Sequence, residues 1–197
     1  MAERRDSRDI VWVDPDRRGI LPLDGFHVPR SLSKTLRRHP FEITVDRAFA
    51  EVMLACAEPA PGRENTWIND VILELYGELH ARGHAHSVEC WRDGYLAGGL
   101  YGVRIGAAFF GESMFSRVTD ASKAALVHLV ERLRLGGYRL LDTQFITEHL
   151  ARFGALEIPR ATYRRLLETA IAGEADFYSI DAAVEGSSEA QSSTQTS

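Results

Sequence analysis

The chain has 197 residues, 45% hydrophobic and 26% charged, with 28 acidic and 23 basic side chains and a net charge of −5. That length and balance fit one water-soluble domain with a sizeable core, and they exclude fibrous, collagen-like and wholly disordered chains. No stretch approaches the ~20 consecutive apolar residues of a membrane helix, and MAERRDSRD is not followed by the apolar centre of a signal peptide, so no membrane partner and a cytoplasmic location are expected.

In chain order, residues 10–30 interleave short apolar runs with Pro, Gly and Asp, which predicts extended pieces and turns. SLSKTLRR then carries N-cap chemistry at Ser31 or Ser33 and sets Arg30, Lys34, Arg37 and Arg38 three and four apart, on one exposed face of a short helix that Pro40 ends. FEITV (41–45) alternates like a strand. Asp46 is placed to cap RAFAEVMLACAE, where Phe49, Val52, Met53 and Cys56 recur at helical spacing. After the loop EPAPGREN, TWINDVILELYGELHARG predicts a helix with Ile72, Leu75, Tyr76 and Leu79 inward and Gly83 just past its end. AHSVECW, YLAGGLYGVRI and AAFFGESMF are three strand-like runs separated by Arg92-Asp93-Gly94 and by Gly106, an antiparallel meander. Asp120 and Ser122 offer caps for SKAALVHLVERLRLGG, with Leu126, Leu129, Val130 and Leu133 inward. YRLLDTQF predicts a strand, TEHLARFG a short helix, and Pro159 the start of a last helix. From about Glu185 onward the Ser-, Glu-, Gln- and Thr-rich composition predicts disorder.

The acidity is unevenly placed. Residues 168–197 hold six acids and no Lys or Arg, so residues 1–167 carry all 23 basic residues against 22 acidic ones. The body is therefore near neutral and compatible with a polyanion partner, and 21 of its cations are Arg, the side chain suited to bidentate phosphate contacts. Cys56 and Cys90 form no CxxC pair and read as buried thiols outside any disulfide. His80, His84 and His86 with Cys90 are interrupted by Gly83 and lack a partner pair, so no metal site is expected.

Strand, two helices, three-stranded meander, helix, strand, helix is similar in order to the GCN5-related N-acetyltransferase fold, an α+β domain with a mainly antiparallel mixed sheet flanked by helices. Acyl-CoA enzymes of that fold cradle pyrophosphate on a glycine-rich loop before the helix that follows the meander. Here that junction reads GESMFSRVTDASK, with Glu112 in place of a phosphate cradle, so an acyl donor other than acyl-CoA is implied. More specifically, TWI (66–68), LHxxGHAHSVExW (79–91), GGLYGV (98–103), FFGESMFS (109–116), ASKAAL (121–126), DxQ (142–144) and GALEIPR (154–160) together resemble the leucyl/phenylalanyl-tRNA–protein transferase family, in order from about Ile10 to Tyr163.

The resemblance implies transfer of Leu or Phe from Leu-tRNA or Phe-tRNA to N-terminal Arg or Lys of proteins, N-degron marking, with no cofactor, no metal and no DNA, by a monomer. It places Gln144, Asp142 and Glu112 at the reaction centre. Asp142 and Gln144, two apart on one strand, share a face, where Gln144 can orient the amine while Asp142 polarises it or meets the acceptor's cationic side chain; Glu112 is the other candidate for that cation. Leu100, Phe109, Met114, Leu126, Leu129, Leu133 and Leu141 match the family's aminoacyl pocket, Trp91 is matched to a tryptophan near the terminal adenosine, and Arg30, Lys34, Arg37 and Arg38 match a cluster for the acceptor-stem backbone. Without the resemblance, the polar trio also reads as strand-end and meander polar groups, the leucines as core, Trp91 as strand packing and the basic face as a solvated surface.

The expected organisation is a remnant of an N-terminal lobe with the basic helix (1–40), an acyltransferase domain (41–178) and an acidic, Ser-rich tail (179–197). The resemblance further implies a front lobe ahead of VWVDPDRRG; this sequence begins near that point, so either Met1 is an internal methionine taken as the start or the lobe is missing, and for the 197-residue form transfer weakened through poorer aminoacyl-tRNA binding is expected. A tRNA-binding protein that no longer transfers and, less well supported, an acyl-CoA-dependent amine N-acetyltransferase are the alternatives.

Overall fold

A computed structural model describes residues 13–59 and 66–181. Among the described residues seven strands form one sheet, antiparallel except for one parallel pair. The predicted meander is present as β3 (Ala85–Arg92), β4 (Tyr95–Ile105) and β5 (Ala108–Ser116), and β2 (Glu42–Val45) extends it at one edge. The turns are sharp because Gly94 and Gly106 take φ of 78° and 56°, the left-handed region that a Cβ disfavours. β6 (Leu140–Gln144) continues the sheet from β5 in parallel. β1 (Arg17–Ile20) lies between β6 and β7 (Leu156–Pro159), so the segment set apart as a lobe remnant supplies an interior strand of this sheet. β7 was not foreseen; Pro159 closes it and also precedes the last helix, α6 (Arg160–Ile171).

On one face, α4 (Ala121–Leu135) buries Ala125, Leu126, Leu129, Val130 and Leu133 against Val88, Leu100, Phe109 and Leu141 of the sheet. On the other, α2 (Phe49–Ala57) and α3 (Asp70–Ala81) cover Ala85, Leu96, Tyr101 and Phe115, and α6 covers Ile20, Ala108 and Leu140. Successive strand residues serve opposite faces, Leu140 that of α6 and Leu141 that of α4, which is the period-two alternation of a sheet buried on both sides. α1 (Arg30–Leu36) and α5 (Glu148–Ala151) are short and sit at the end of the α4 layer, where Leu32 and Leu150 join its core. No helix among the described residues is long and apolar enough to cross a membrane.

Several expected caps are not made. α1 begins at Arg30 after Pro29, without a side-chain cap from Ser31 or Ser33. Asp46 does not cap α2. Its backbone is left-handed (φ 57°), and its carboxylate accepts from the Ser87 N–H (2.8 Å) and pairs with His86 Nδ1 (2.7 Å). Asp120 is likewise left-handed and pairs with Lys123 (2.6 Å), while Ser122 lies inside the helix and its N–H reaches Ser116 Oγ. For Asp46 and Asp120 a partner other than the N–H groups of the helix start takes the carboxylate that would have capped it. In α3 the cap is Asn69, which accepts from the Ile72 N–H, and the inward stripe follows Ile72, Tyr76 and Leu79 while Leu75 is 46% exposed. Of the expected tail, Ser179 to Asp181 are described, with Asp181 paired to the buried Arg132 (2.7 Å); the disorder expected from Glu185 falls outside the described residues.

Candidate active site

β5 and β6 stay paired only as far as Phe110 and Asp142. Beyond that point β5 remains with β4 to Ser116 while β6 pairs with β1, so the two parallel strands part. A cavity of about 280 Å³ sits in the opening. It lies at the small end of the roughly 300–1,000 Å³ typical of ligand pockets, a size for one side chain and a reacting group rather than for a nucleotide.

Its apolar wall is Leu100 of β4, Met114 of β5, Leu126 and Leu129 of α4 and Leu141 of β6. Five of the seven predicted pocket residues are thus brought together. Phe109 and Leu133 are not on the wall. Both are fully buried in the core behind it, Phe109 stacked on Phe177 at 5.6 Å. Trp91 is not on the wall either: after a register shift between Cys90 and Trp91 its ring joins the α2–α3 cluster, its Nε1–H donates to Thr44 Oγ1 (2.7 Å), and Arg47 lies over it at 5.6 Å.

The polar wall carries Glu112, Gln144, Tyr101, Thr143 and His149. Glu112 is the extra residue of a β-bulge, since Tyr101 pairs with Ser113 but Gly102 pairs with Gly111. A bulge re-aims a side chain at low cost, and Gly102 accommodates this one because a Cβ there would meet the Phe110 carbonyl oxygen at 2.3 Å. Burial pushes the Glu112 carboxyl up to about 7; a hydrogen bond with Tyr76 of α3 and the charge of Arg18 act the other way, and Asp142 adds to the rise. Tyr101 Oη, Thr143 Oγ1 and His149 Nε2 are buried and have no hydrogen-bond partner among the described residues. Three such atoms on the lining of one cavity give it bonding capacity for water or for a polar ligand.

Asp142 departs from its expected role. It is fully buried and does not line the cavity. Its carboxylate accepts from Arg18 Nε (3.1 and 3.0 Å) and pairs with the second Arg18 nitrogen (2.9 Å), accepts from the Tyr163 hydroxyl, and accepts from the Gln144 backbone N–H at 2.7 Å. Its oxygens are thus engaged within the protein and are not presented on the cavity wall. Gln144 does reach the cavity, from a left-handed backbone (φ 58°) at the centre of a three-residue turn closed by the Phe145 N–H on the Thr143 carbonyl (2.7 Å).

Arg30, Lys34, Arg37 and Arg38 are all exposed on or just beyond α1. A second cleft of about 300 Å³, lined by Ser31 and Leu32 of α1 together with Lys123 and Arg152, shares His149 with the first. The basic helix is thereby adjacent to the cavity.

The sequence profile described as leucyl/phenylalanyl-tRNA protein transferase matches residues 20–168. The chain belongs to this family. Among its relatives, leucyl/phenylalanyl-tRNA–protein transferases of Phenylobacterium zucineum (strain HLK1) and Maricaulis maris (strain MCS10) are 61% and 57% identical, over 93% and 100% of this chain and 83% and 91% of their own length. That of Caulobacter vibrioides (strain NA1000 / CB15N) is 58% identical over 94% of this chain and 86% of its own length. The match spans the cavity, Gln144, Glu112 and Asp142, but it begins after Arg18, which sequence reasoning missed along with Tyr163, Tyr76, Thr143 and His149. Arg18 and Tyr163 are separated from Asp142 by 124 and 21 residues. Only their position at the two ends of the family-like segment, VWVDPDRRG and GALEIPRATY, could have drawn notice.

Proposed function

We infer that this chain transfers Leu or Phe from aminoacyl-tRNA to the α-amine of N-terminal Arg or Lys of proteins, as its family's name and the cavity together support. The observation that carries the reading is one cavity with leucines and Met114 on one wall and Glu112, Gln144 and three unpartnered polar atoms on the other. The parting of parallel β5 and β6 at that cavity also supports describing the domain as GCN5-related N-acetyltransferase-like.

The donor ester is already activated, and an α-amine with a pKa of about 7.7–8.0 is partly free at neutral pH, so no covalent enzyme intermediate is required. The amine nitrogen bonds to the ester carbonyl carbon, the carbon–oxygen bond to the terminal ribose breaks, and the proton lost by the amine ends on the departing ribose oxygen. What the protein must supply is position and charge stabilisation. The leucine-lined wall seats the Leu or Phe side chain, Met114 adapting to either shape. The Gln144 side-chain carbonyl accepts from the amine and aims its lone pair. Glu112, titrating near neutrality, meets the cationic side chain of the acceptor when ionised. Arg30, Lys34, Arg37 and Arg38 hold acceptor-stem phosphates, giving sequence-independent affinity suited to more than one tRNA. The protein acts as a cytoplasmic monomer in the N-degron route.

Supplying radiolabelled Leu-tRNA, Phe-tRNA or acetyl-CoA with a peptide bearing N-terminal Arg tests the reading. Label passing from Leu-tRNA or Phe-tRNA to the peptide is expected. Label from acetyl-CoA alone, or tRNA binding without transfer, overturns it.

A further inference from the structure

We propose that Arg18 and Tyr163 are positioning residues for the transfer reaction, clamping the Asp142 carboxylate so that it holds Gln144 in its strained turn on the cavity wall. The inference rests on the aminoacyl-transfer reading for its consequence and on geometry for its content.

A non-glycine residue at φ 58° in a three-residue turn lies in a conformation that persists only where its surroundings over-determine it. Two features do so here. The Gln144 N–H, at the end of β6, donates to Asp142 Oδ1 at 2.7 Å. Beside it, Gly19 of β1 sits opposite Gln144, and a Cβ at that glycine would meet the Phe145 carbonyl carbon at 2.8 Å, so the turn folds down onto bare backbone.

Asp142 can serve as this anchor only if it is itself immobile. Arg18 reaches both of its oxygens through Nε and adds a third contact through the terminal nitrogen, and the Tyr163 hydroxyl donates to Oδ2. The Arg18 guanidinium also lies over the Tyr163 ring, 5.3 Å from its centroid, so the two clamping side chains brace each other. Arg18 comes from β1 and Tyr163 from α6. A fully buried carboxylate with four donors is thus assembled from three remote segments, and one of the four is the backbone of the residue that faces the substrate. Neither clamping side chain is on the cavity wall, so each acts through Gln144 and not on reacting atoms.

A double-mutant cycle on the single-turnover transfer rate separates this role from simple support. Removing one charge-assisted hydrogen bond by Tyr163→Phe is expected to slow transfer about tenfold in the wild-type background and less than about twofold in a Gln144→Ala background, with aminoacyl-tRNA affinity changed less than about twofold. Arg18→Lys should retain more of the rate than Arg18→Met, since it keeps the charge but not the fork. An activity-independent readout accompanies it: hydrogen exchange of the Gln144 amide should accelerate in Tyr163→Phe and Arg18→Met while that of Leu100, in the middle of β4, stays unchanged. Equal rate losses in both backgrounds, or an unchanged Gln144 amide, overturn the proposal. Absence of transfer by the wild-type chain would instead overturn the proposed function, and the exchange measurement would still decide whether the clamp holds Gln144.

Discussion

The two halves of the sheet are held by different physics. In β2 to β5 the three long strands run for 8, 11 and 9 residues, follow one another in the chain through tight turns, and are sandwiched between apolar faces of α4 and of α2 with α3. In β6, β1 and β7 the strands have 5, 4 and 4 residues and come from distant segments, and beside the small apolar cluster of Ile20 and Leu140 under α6 their junction buries the Arg18–Asp142 ion pair with Tyr163. The cavity draws most of its apolar wall from the first half and Thr143 and Gln144 from the second. A hydrophobic layer tolerates adjustment and makes a shape; a fully bonded polar cluster in a low-dielectric interior specifies one arrangement, which is what a strained turn beside a reacting group needs.

The comparison breaks most sharply at Asp142. Asp142→Ala would leave the Arg18 guanidinium, 17% exposed, without its partner and would orphan the Tyr163 hydroxyl and the Gln144 N–H. Removing one member of a buried pair costs about 3–5 kcal/mol, so a large drop in the urea midpoint is expected together with loss of transfer. A loss near 1 kcal/mol would mean that the second half is held by its apolar contacts, as the first is.

Glu112 sharpens the same contrast, because it is a charged group placed among the apolar strands of the first half. Its carboxyl, ordinarily at 4.5, is pushed to about 7 by burial in the folded chain. The folded state therefore binds the proton more tightly than the unfolded one, and stability falls as pH rises from about 4.5 to about 7, then levels off. The total is at most about 3 kcal/mol. Glu112→Gln removes the linkage. Urea unfolding across this range should show the variant gaining on the wild type with rising pH and the difference vanishing below the lower value. A pH-independent difference would place Glu112 in contact with water. In transfer assays the same variant should raise the KM for an N-terminal Arg peptide, most strongly above pH 7, where the wild-type carboxylate is charged.

Legibility followed the same divide. The meander could be read from AHSVECW, YLAGGLYGVRI and AAFFGESMF because each strand carries its own pattern and its own turn, and the inward leucines of α4 could be read from helical spacing. β7 could not, since LEIP is four residues ending in proline and becomes a strand only by pairing with β1. The shared face of Asp142 and Gln144 was deduced from strand alternation, and that step failed at Gln144, whose left-handed backbone leaves the alternation. Leu133 and Phe109 show the limit of apolar periodicity: it marks which residues turn inward, but Leu129 reaches the cavity while Leu133, one turn on, faces solid core. Caps failed where an acid found a better partner in tertiary contact, as Asp46 did with His86 and the Ser87 N–H.

The smallest expected effect lies on the outside of the second half, and it tests whether the polar contacts there matter by their number or by their burial. Asp14 accepts from Arg160 (3.3 Å) and Arg164 (2.8 Å), Asp16 from Arg160 (2.7 Å), and Arg17 pairs with Glu157 (3.2 Å), fastening the start of the described chain to α6 and β7. Every one of these side chains is substantially exposed, from 37% to 91%. In high dielectric, exposed pairs are worth about 0–1 kcal/mol each and are screened by salt. Asp14→Asn, which weakens two of them, is therefore expected to cost less than about 1 kcal/mol at low salt and still less at high salt, with transfer rate and Gln144 amide exchange unchanged. A loss approaching that of Asp142→Ala would mean that the clasp on the surface, and not the buried clamp, keeps β1 in the sheet.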